Sequence, residues 1–338
     1  MRSIITLATV TLMTFGLAGG AFAADYKSEY KLSTALGPPH PWGLGVEKFA
    51  DLVRERTDGR INIKVYPGPV LAGGDSTKHV PMVRQGLIDF TVESSLSIAP
   101  HVPEFGIFNL PFFITNDKAT DAVIRSSAGD KLFDALRGKG VEPLSWADNG
   151  IRQLTNSKRD IRSPEDMKGM KFRTVGSPMS IDTFRALGAD PTQMSWTDAQ
   201  PALATGAVDG HENSTAVLQM FDIWTLDQTH VTTWGAVADI LVFSANPAVM
   251  DSFTPEDREI VVQAAREAGD YEIELVRALS AGGAFQKKLE ENGVTVTNLT
   301  PEETAVFQER TRGVFDKWSK VIGVELVEEA RQAIAAAQ

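Results

Sequence analysis

From Tyr26 to Pro67 the sequence sets a strand, a helix and a second strand in close succession, and that order limits the folds open to it. Tyr26 to Thr34 reads as a strand, and Gly37-Pro38-Pro39 breaks it. Trp42, Val46, Phe49, Ala50 and Val53 then recur at helical spacing, and Asp58-Gly59 stops the helix. Ile61, Ile63 and Val65 alternate with Asn62 and Lys64 in the next strand, which ends at Pro67. A helix between two strands carries the chain back to the starting edge, so the strands are expected to pair in parallel.

The same alternation continues through the chain. A helix is expected around Asp75 to Gln85, an apolar strand at Leu87 to Val92, a helix from about Asp117 to Leu136 and a strand at Leu144 to Thr155. Ser163-Pro164-Glu165-Asp166 is a helix start: a capping serine, proline at the first position and an acid three residues on. Lys171 to Val175 follows as a strand, Pro178 to Leu187 and Thr197 to Thr205 as helices, and Ala207 to Asp209 as a short strand. Thr254-Pro255-Glu256-Asp257 and Thr300-Pro301-Glu302-Glu303 open two further helices. Between Pro255 and Asn292 only Gly282-Gly283 interrupts the helical pattern. One helix of up to 38 residues, about 55 Å at roughly 1.5 Å per residue, would link two lobes, whereas a break at the glycines would leave two helices. The class is α/β in two lobes: 24–149 with about 236–270, and 150–235 with about 271–338.

Met1-Arg2, the apolar run from Ile4 to Gly19 and the small-x-small triplet Ala21-Phe22-Ala23 form a secretory signal, with cleavage expected after Ala23. Removing the 23 leader residues from 338 leaves 315, enough for two lobes with a core each. Only Arg2 among those lost is charged, so 32 basic residues face 44 acidic ones, a net charge of −12 with histidine neutral. Nucleic acid and anionic lipid need a basic footprint, and this balance argues against both. The chain has no cysteine, which excludes disulfides, thiolate catalysis and cysteine-held metals.

No Gly-x-Ser-x-Gly elbow or Gly-x-x-x-x-Gly-Lys phosphate loop occurs, and His211-Glu212 lacks the second histidine of a zinc site. No cofactor or metal is expected. What the chain does carry lies between Asn149 and Asn213: Arg152 and Arg173 on strand-like segments, Trp196, and Asn213 closing Val208-Asp209-Gly210-His211-Glu212-Asn213. Two converging guanidiniums grip a carboxylate through paired, charge-assisted hydrogen bonds. Each residue also has a plain structural reading, as an internal ion pair, a core indole or a helix cap.

The combination resembles the DctP-type solute-binding subunits of tripartite ATP-independent periplasmic (TRAP) transporters over essentially the whole mature length. The resemblance rests on His40-Pro41-Trp42-Gly43, Thr57-Asp58-Gly59-Arg60-Ile61, Leu71-Ala72-Gly73-Gly74-Asp75, Gly86-Leu87-Ile88-Asp89, Gly150 to Thr155, Met167 to Arg173 and Leu203 to Gly210. It implies a periplasmic, two-lobed, hinged binding protein, expected to be a monomer, that closes on an organic acid and delivers it to a small and a large membrane subunit. In that family the arginine at Arg173 holds the substrate carboxylate, the one at Arg152 assists, Trp196 packs on the ligand and Asn213 adds a polar contact. His40, Trp42, Asp75, Glu93, Ser94 and Asn149 fall on segments or near positions that face the cleft. Some relatives hold a metal through a glutamate near Glu212, and His211 stands where glutamine is common.

Two other classes share export and two lobes: a binding protein for an ABC importer or a sensor, and a periplasmic enzyme acting on an organic acid with His40 or Glu93 as base. Two arginines suit a monocarboxylate, a dicarboxylate or a sugar acid. Trp42, Trp146 and Trp196 near the cleft tilt the expectation from C4 acids toward larger hydroxy, aromatic or sugar acids.

Overall fold

The strand–helix–strand opening folds as its pattern requires. The computed structural model describes residues 26–337, and the leader with its cleavage site lies outside them. β1 (Tyr30–Thr34) pairs in parallel with β2 (Ile63–Tyr66), Tyr30 opposite Ile63. Between them α1 (Pro41–Arg56) buries Trp42, Val46, Phe49, Ala50 and Val53 against the sheet. His40 caps this helix, its Nδ1 accepting from the Trp42 amide, and Pro41 occupies a position whose N–H would have no partner. Asp58 and Gly59 turn the chain away at φ of 49° and 76°.

The remaining elements are α2 (His79–Arg84), β3 (Phe90–Ser94), α3 (Ser95–Ile98), α4 (Asp117–Ile124), α5 (Ser127–Gly138) and β4 (Glu142–Asn156). Then come β5 (Lys171–Thr174), α6 (Pro178–Ala186), β6 (Asp190–Gln193), α7 (Trp196–Ala204), β7 (Gly210–Ser214) and α8 (Thr215–Met220). β8 (His230–Ala245), α9 (Pro247–Ser252), α10 (Pro255–Ser280), α11 (Ala284–Glu291), β9 (Thr295–Asn298), α12 (Pro301–Ile322) and α13 (Val324–Ala337) complete the described chain. The strand order is β2-β1-β3-β8-β4-β7-β5-β6, with β9 beside β8. The antiparallel pair β4 and β8 stands at the centre and belongs to both lobes. Its β8 side meets β3 of the first lobe, and its β4 side meets β7 of the second. Register shifts interrupt the pair at Asp148/Gly150 and Arg152/Leu154.

Helices cover both faces of the sheet, so β8 is apolar on both sides. Leu241 and Phe243 join the core beneath α1 and α10, while Ile240 and Val242 point to the core on the other face. In the second lobe Phe172, Phe184, Trp234 and Phe307 form a third cluster, and Leu218, Val231, Phe285 and Leu289 a fourth.

Several sequence expectations are corrected. The 38-residue helix is two: α10 runs for 26 residues, and Gly282 and Gly283 at φ of 62° and 76° end it before α11. At roughly 1.5 Å per residue α10 is still about 39 Å long. Its middle pairs with α1 through Arg56 and Glu267, and its end meets α8 where Gln219 donates to the Leu279 carbonyl. The helix expected over 117–136 is also two, because the Ser126 side chain caps a new start at the Ala128 amide. Ala207 to Asp209 is a turn after Gly206 (φ 70°), and the strand is displaced to Gly210–Ser214. Trp146 is not at the cleft; it stacks on Phe133 at 4.2 Å beside Phe105 and Phe108.

α10 approaches β4 closely because residue 269 is glycine. A Cβ there would sit 2.2 Å from the Trp146 carbonyl oxygen, which is backbone and cannot rotate away. Gly269→Ala is expected to cost at least about 1–3 kcal/mol, the usual range for overpacking, and urea unfolding measures it.

Candidate functional site

On β5, Phe172 turns into the third core cluster and Arg173 to the opposite face, where its register partner on β7 is His211. Arg173 is only 3% exposed. Its Nε donates to the Met194 carbonyl at 3.0 Å, and its guanidinium lies 5.7 Å over the Trp196 ring. Among the described residues no carboxylate forms an ion pair with it. Burial, reinforced by the charge of Arg152, lowers its pKa to about 10. A buried cation left in this state favours any anion that reaches it.

Arg152 looks alike in sequence and behaves differently. Its Nε and Nη2 donate to Glu212 on β7, and its Nη1 donates to Asp239 on β8 at 2.8 Å. Burial opposes its charge, but the two carboxylates more than offset that and hold its pKa above the ordinary range. Arg152 faces the cavity already neutralised by Glu212 and Asp239.

Trp196 opens α7 just after its cap Ser195. It stacks on His211 at 5.4 Å and meets Phe221 edge-on. Burial, with the charges of Arg173 and Arg152, drives the His211 pKa well below its ordinary value, so the ring is neutral, and among the described residues both its nitrogens lack hydrogen-bond partners.

Opposite this wall the first lobe supplies Trp42 from α1, Asp75 from the turn before α2, and Glu93 and Ser94 from the end of β3. Asp239 accepts from Ser94, Ser95, Asn149 and Arg152, which fills its lone pairs. Between the walls lies a cavity of about 220 Å³. Arg173, Arg152, Asn213, Trp196, Trp42, Asp75, Glu93, Ser94 and Asn149 all line it. His40 does not: it is the buried cap of α1, and burial lowers its pKa to about 4. Sequence reasoning missed Asp239 and Gln193, which also line the cavity. Asp239 had a signal, a lone charge inside the apolar run Ala236-Val237-Ala238-Asp239-Ile240-Leu241-Val242. Gln193 lies on the short β6, which has no apolar pattern.

A sequence model of the DctP family, bacterial extracellular solute-binding protein family 7, matches residues 32–321. A periplasmic solute-binding protein of a TRAP transporter from Ralstonia eutropha H16, solved with bound (S)-2-hydroxy-2-methyl-3-oxobutanoate ((S)-2-acetolactate), is 52% identical, with a TM-score of 0.90. The match covers 92% of this chain and 100% of that one. A sugar acid binding protein from Advenella mimigardefordensis, solved with galactonate, is 28% identical with a TM-score of 0.85, over 92% of this chain and 98% of its own. The 2,3-diketo-L-gulonate-binding periplasmic protein of Escherichia coli K12 is 32% identical over 268 residues, 79% of this chain and 81% of that protein.

Proposed function

The chain belongs to the DctP family of bacterial extracellular solute-binding proteins, and from that premise we propose that it captures a small organic monocarboxylate between its lobes and delivers it to a TRAP permease. The observation that carries this reading is the buried guanidinium of Arg173, which has no ion-pair partner among the described residues. A carboxylate docked there supplies the missing charge, and Trp196 covers the pair. Arg152, bound to Glu212 and Asp239, orients the wall and does not hold a second acid group. A dicarboxylate would turn its far end toward Glu93 and Asp239 with no cation to receive it. Pocket size agrees, since about 220 Å³ is small beside the roughly 300–1,000 Å³ of ordinary ligand sites. A compact acid like the acetolactate held by the Ralstonia protein suits it better than the large acids that three cleft tryptophans suggested.

Binding favours the closed state because contacts from both lobes form only there. The bends of β4 near Gly150 and of β8 near Gly235 are the hinge, dividing 24–149 with about 236–270 from 150–235 with about 271–338. The leader ends at Ala23, the mature chain works in the periplasm, and its partners are a small and a large membrane subunit. A thermal-shift screen tests the ligand class: a compact monocarboxylate at a hundred times its Kd adds about 2.7 kcal/mol, and succinate adds nothing. Stabilisation by succinate without any by monocarboxylates would overturn the reading. Ligand released chemically unchanged from denatured protein separates binding from turnover.

A further inference from the structure

The two walls of the cavity touch at its margin, and a glycine occupies the point of contact. Gly176 follows β5, three residues after Arg173, and Thr77 stands in the turn before α2. Both are half-buried, both line the cavity, and they fall in opposite lobes, 24–149 and 150–235. A Cβ at residue 176 would lie 2.9 Å from the Thr77 methyl and 2.8 Å from Gln193 Nε2. Carbon atoms in ordinary contact keep about 3.5–4.0 Å apart. The φ of Gly176 is not positive, so the backbone conformation does not call for glycine there. The space between the walls does.

Both sides of the contact are held in place by their own hydrogen bonds. Asp75 Oδ1 accepts from the Thr77 amide at 3.1 Å and from the Thr77 hydroxyl at 2.7 Å, and His101 Nε2 donates to the Thr77 carbonyl at 2.7 Å. A threonine side chain is stiff at χ1, so turning the methyl aside would break the hydroxyl bond to Asp75. Across the cleft the Ser177 amide donates to the Val175 carbonyl at 2.6 Å, and the Ser177 hydroxyl accepts from the Ser180 amide to cap α6. We propose that Gly176 and the Thr77 methyl form the closing contact of the cleft, and that the missing side chain at residue 176 sets how long a bound acid stays. This rests on the proposed division into lobes and on an acid held by Arg173. Anchor and gate then lie on one short segment, so the motion that carries Arg173 and its acid toward the first lobe also shuts the margin of the cavity.

Two experiments test the gate, and one of them needs no ligand. In the first, propionate, pyruvate and 2-methylbutanoate are the probes, with affinity read by calorimetry and release by stopped-flow tryptophan fluorescence. Gly176→Ala is expected to weaken binding of the acids that the natural protein takes by roughly 5- to 150-fold, the range set by overpacking. Faster release should account for the loss, and the unliganded variant should melt no lower than the natural protein. Adding Thr77→Ser, which removes the methyl and keeps the hydroxyl on Asp75, should restore most of the affinity. A clash confined to the second lobe, at Gln193, would not respond to that change. Unchanged binding in Gly176→Ala, or a loss that Thr77→Ser leaves untouched, would overturn the proposal.

The second experiment uses the absence of cysteine from the natural chain, so that Thr77→Cys combined with Gly176→Cys reports on this contact alone. The two Cβ atoms come within about 4.4 Å, one carbon–carbon bond beyond the 2.9 Å contact, which a disulfide can span. Oxidation with copper phenanthroline should link the pair without acid present and block later uptake of acid. Acid bound before oxidation should stay until dithiothreitol frees it. Failure to link, with or without acid, would overturn the contact, and exchange of acid through the linked protein at the natural rate would overturn its role as a gate. A link that forms in a protein binding none of the three acids would instead overturn the monocarboxylate reading and leave the contact standing.

Discussion

Arg173→Met is expected to remove acid binding and, in the same protein, to raise the melting temperature of the unliganded state. The two effects have one cause. Arg173 is held charged in a buried place without a carboxylate, and its pKa is depressed from its ordinary value to about 10, chiefly by burial. A folded pKa below the unfolded one means that the folded state disfavours the bound proton. The penalty is therefore present in full below about pH 10 and disappears as pH rises from there toward the ordinary arginine value. At roughly 1.4 kcal/mol per unit it amounts to about 3 kcal/mol at neutral pH. Methionine fills much of the same volume without the charge and relieves it. With ligand the sign reverses: the acid loses its partner, and a broken buried pair costs about 3–5 kcal/mol, a loss of affinity of roughly 150- to 5,000-fold. The natural protein should also lose affinity about tenfold per pH unit above pH 10, and hold it constant between pH 7 and 9. Differential scanning fluorimetry and calorimetry at pH 7.5 decide the matter. Retained affinity, or an unliganded variant that melts lower, would remove Arg173 from the centre of the site.

Arg277→Met is expected to have the opposite effect on stability and to depend on pH. Near the end of α10, Arg277 donates to Asp148 on β4 and to Asp121 on α4, at 2.7–3.2 Å. Burial raises the Asp148 pKa to about 6 even with this partner. Glu272, one turn back on the same helix, is pushed well above its ordinary value, again by burial, and accepts from the Asp148 amide. Without the arginine, Asp148 would be charged, buried and beside further acids, at a cost of about 3–5 kcal/mol near pH 8. A raised folded pKa makes the protonated form the favoured one in the fold. The Asp148 contribution is thus fully present below pH 3.8 and lost as pH rises through about 6. The variant should accordingly be damaged much less at pH 5 than at pH 8. Urea unfolding at both values measures this, and equal losses would contradict the account.

The elements were legible where local rules suffice. Pro255 and Pro301, each after a capping threonine, marked their helices correctly, and the alternation of Ile61, Ile63 and Val65 marked an edge strand. Helix breaks were not legible at Ser126, because a serine inside a helical pattern becomes a cap only when the chain turns there. The site was legible as a set of residues but not as a set of partnerships. Arg152 and Arg173 each follow an apolar residue on a strand, yet Glu212 and Asp239, 60 and 87 residues after Arg152, neutralise one and leave the other alone. Sequence spacing carries no information about contacts of that separation. His40 sits in a motif that points toward the cleft, and its ring is turned to the Trp42 amide by the need of α1 for a cap.

The chain passes between the lobes in β4, in β8 and along α10. A single connecting strand would let one lobe swivel, twist and tilt against the other. Two strands hydrogen-bonded side by side resist twisting, and a helix braced across them at Gly269 resists sideways tilt. One freedom remains, a bend about an axis across the strand pair. On the hinge we propose, the lobes would therefore travel along one repeatable arc, and a partner reading the outer surface would meet open and closed forms related by that single bend.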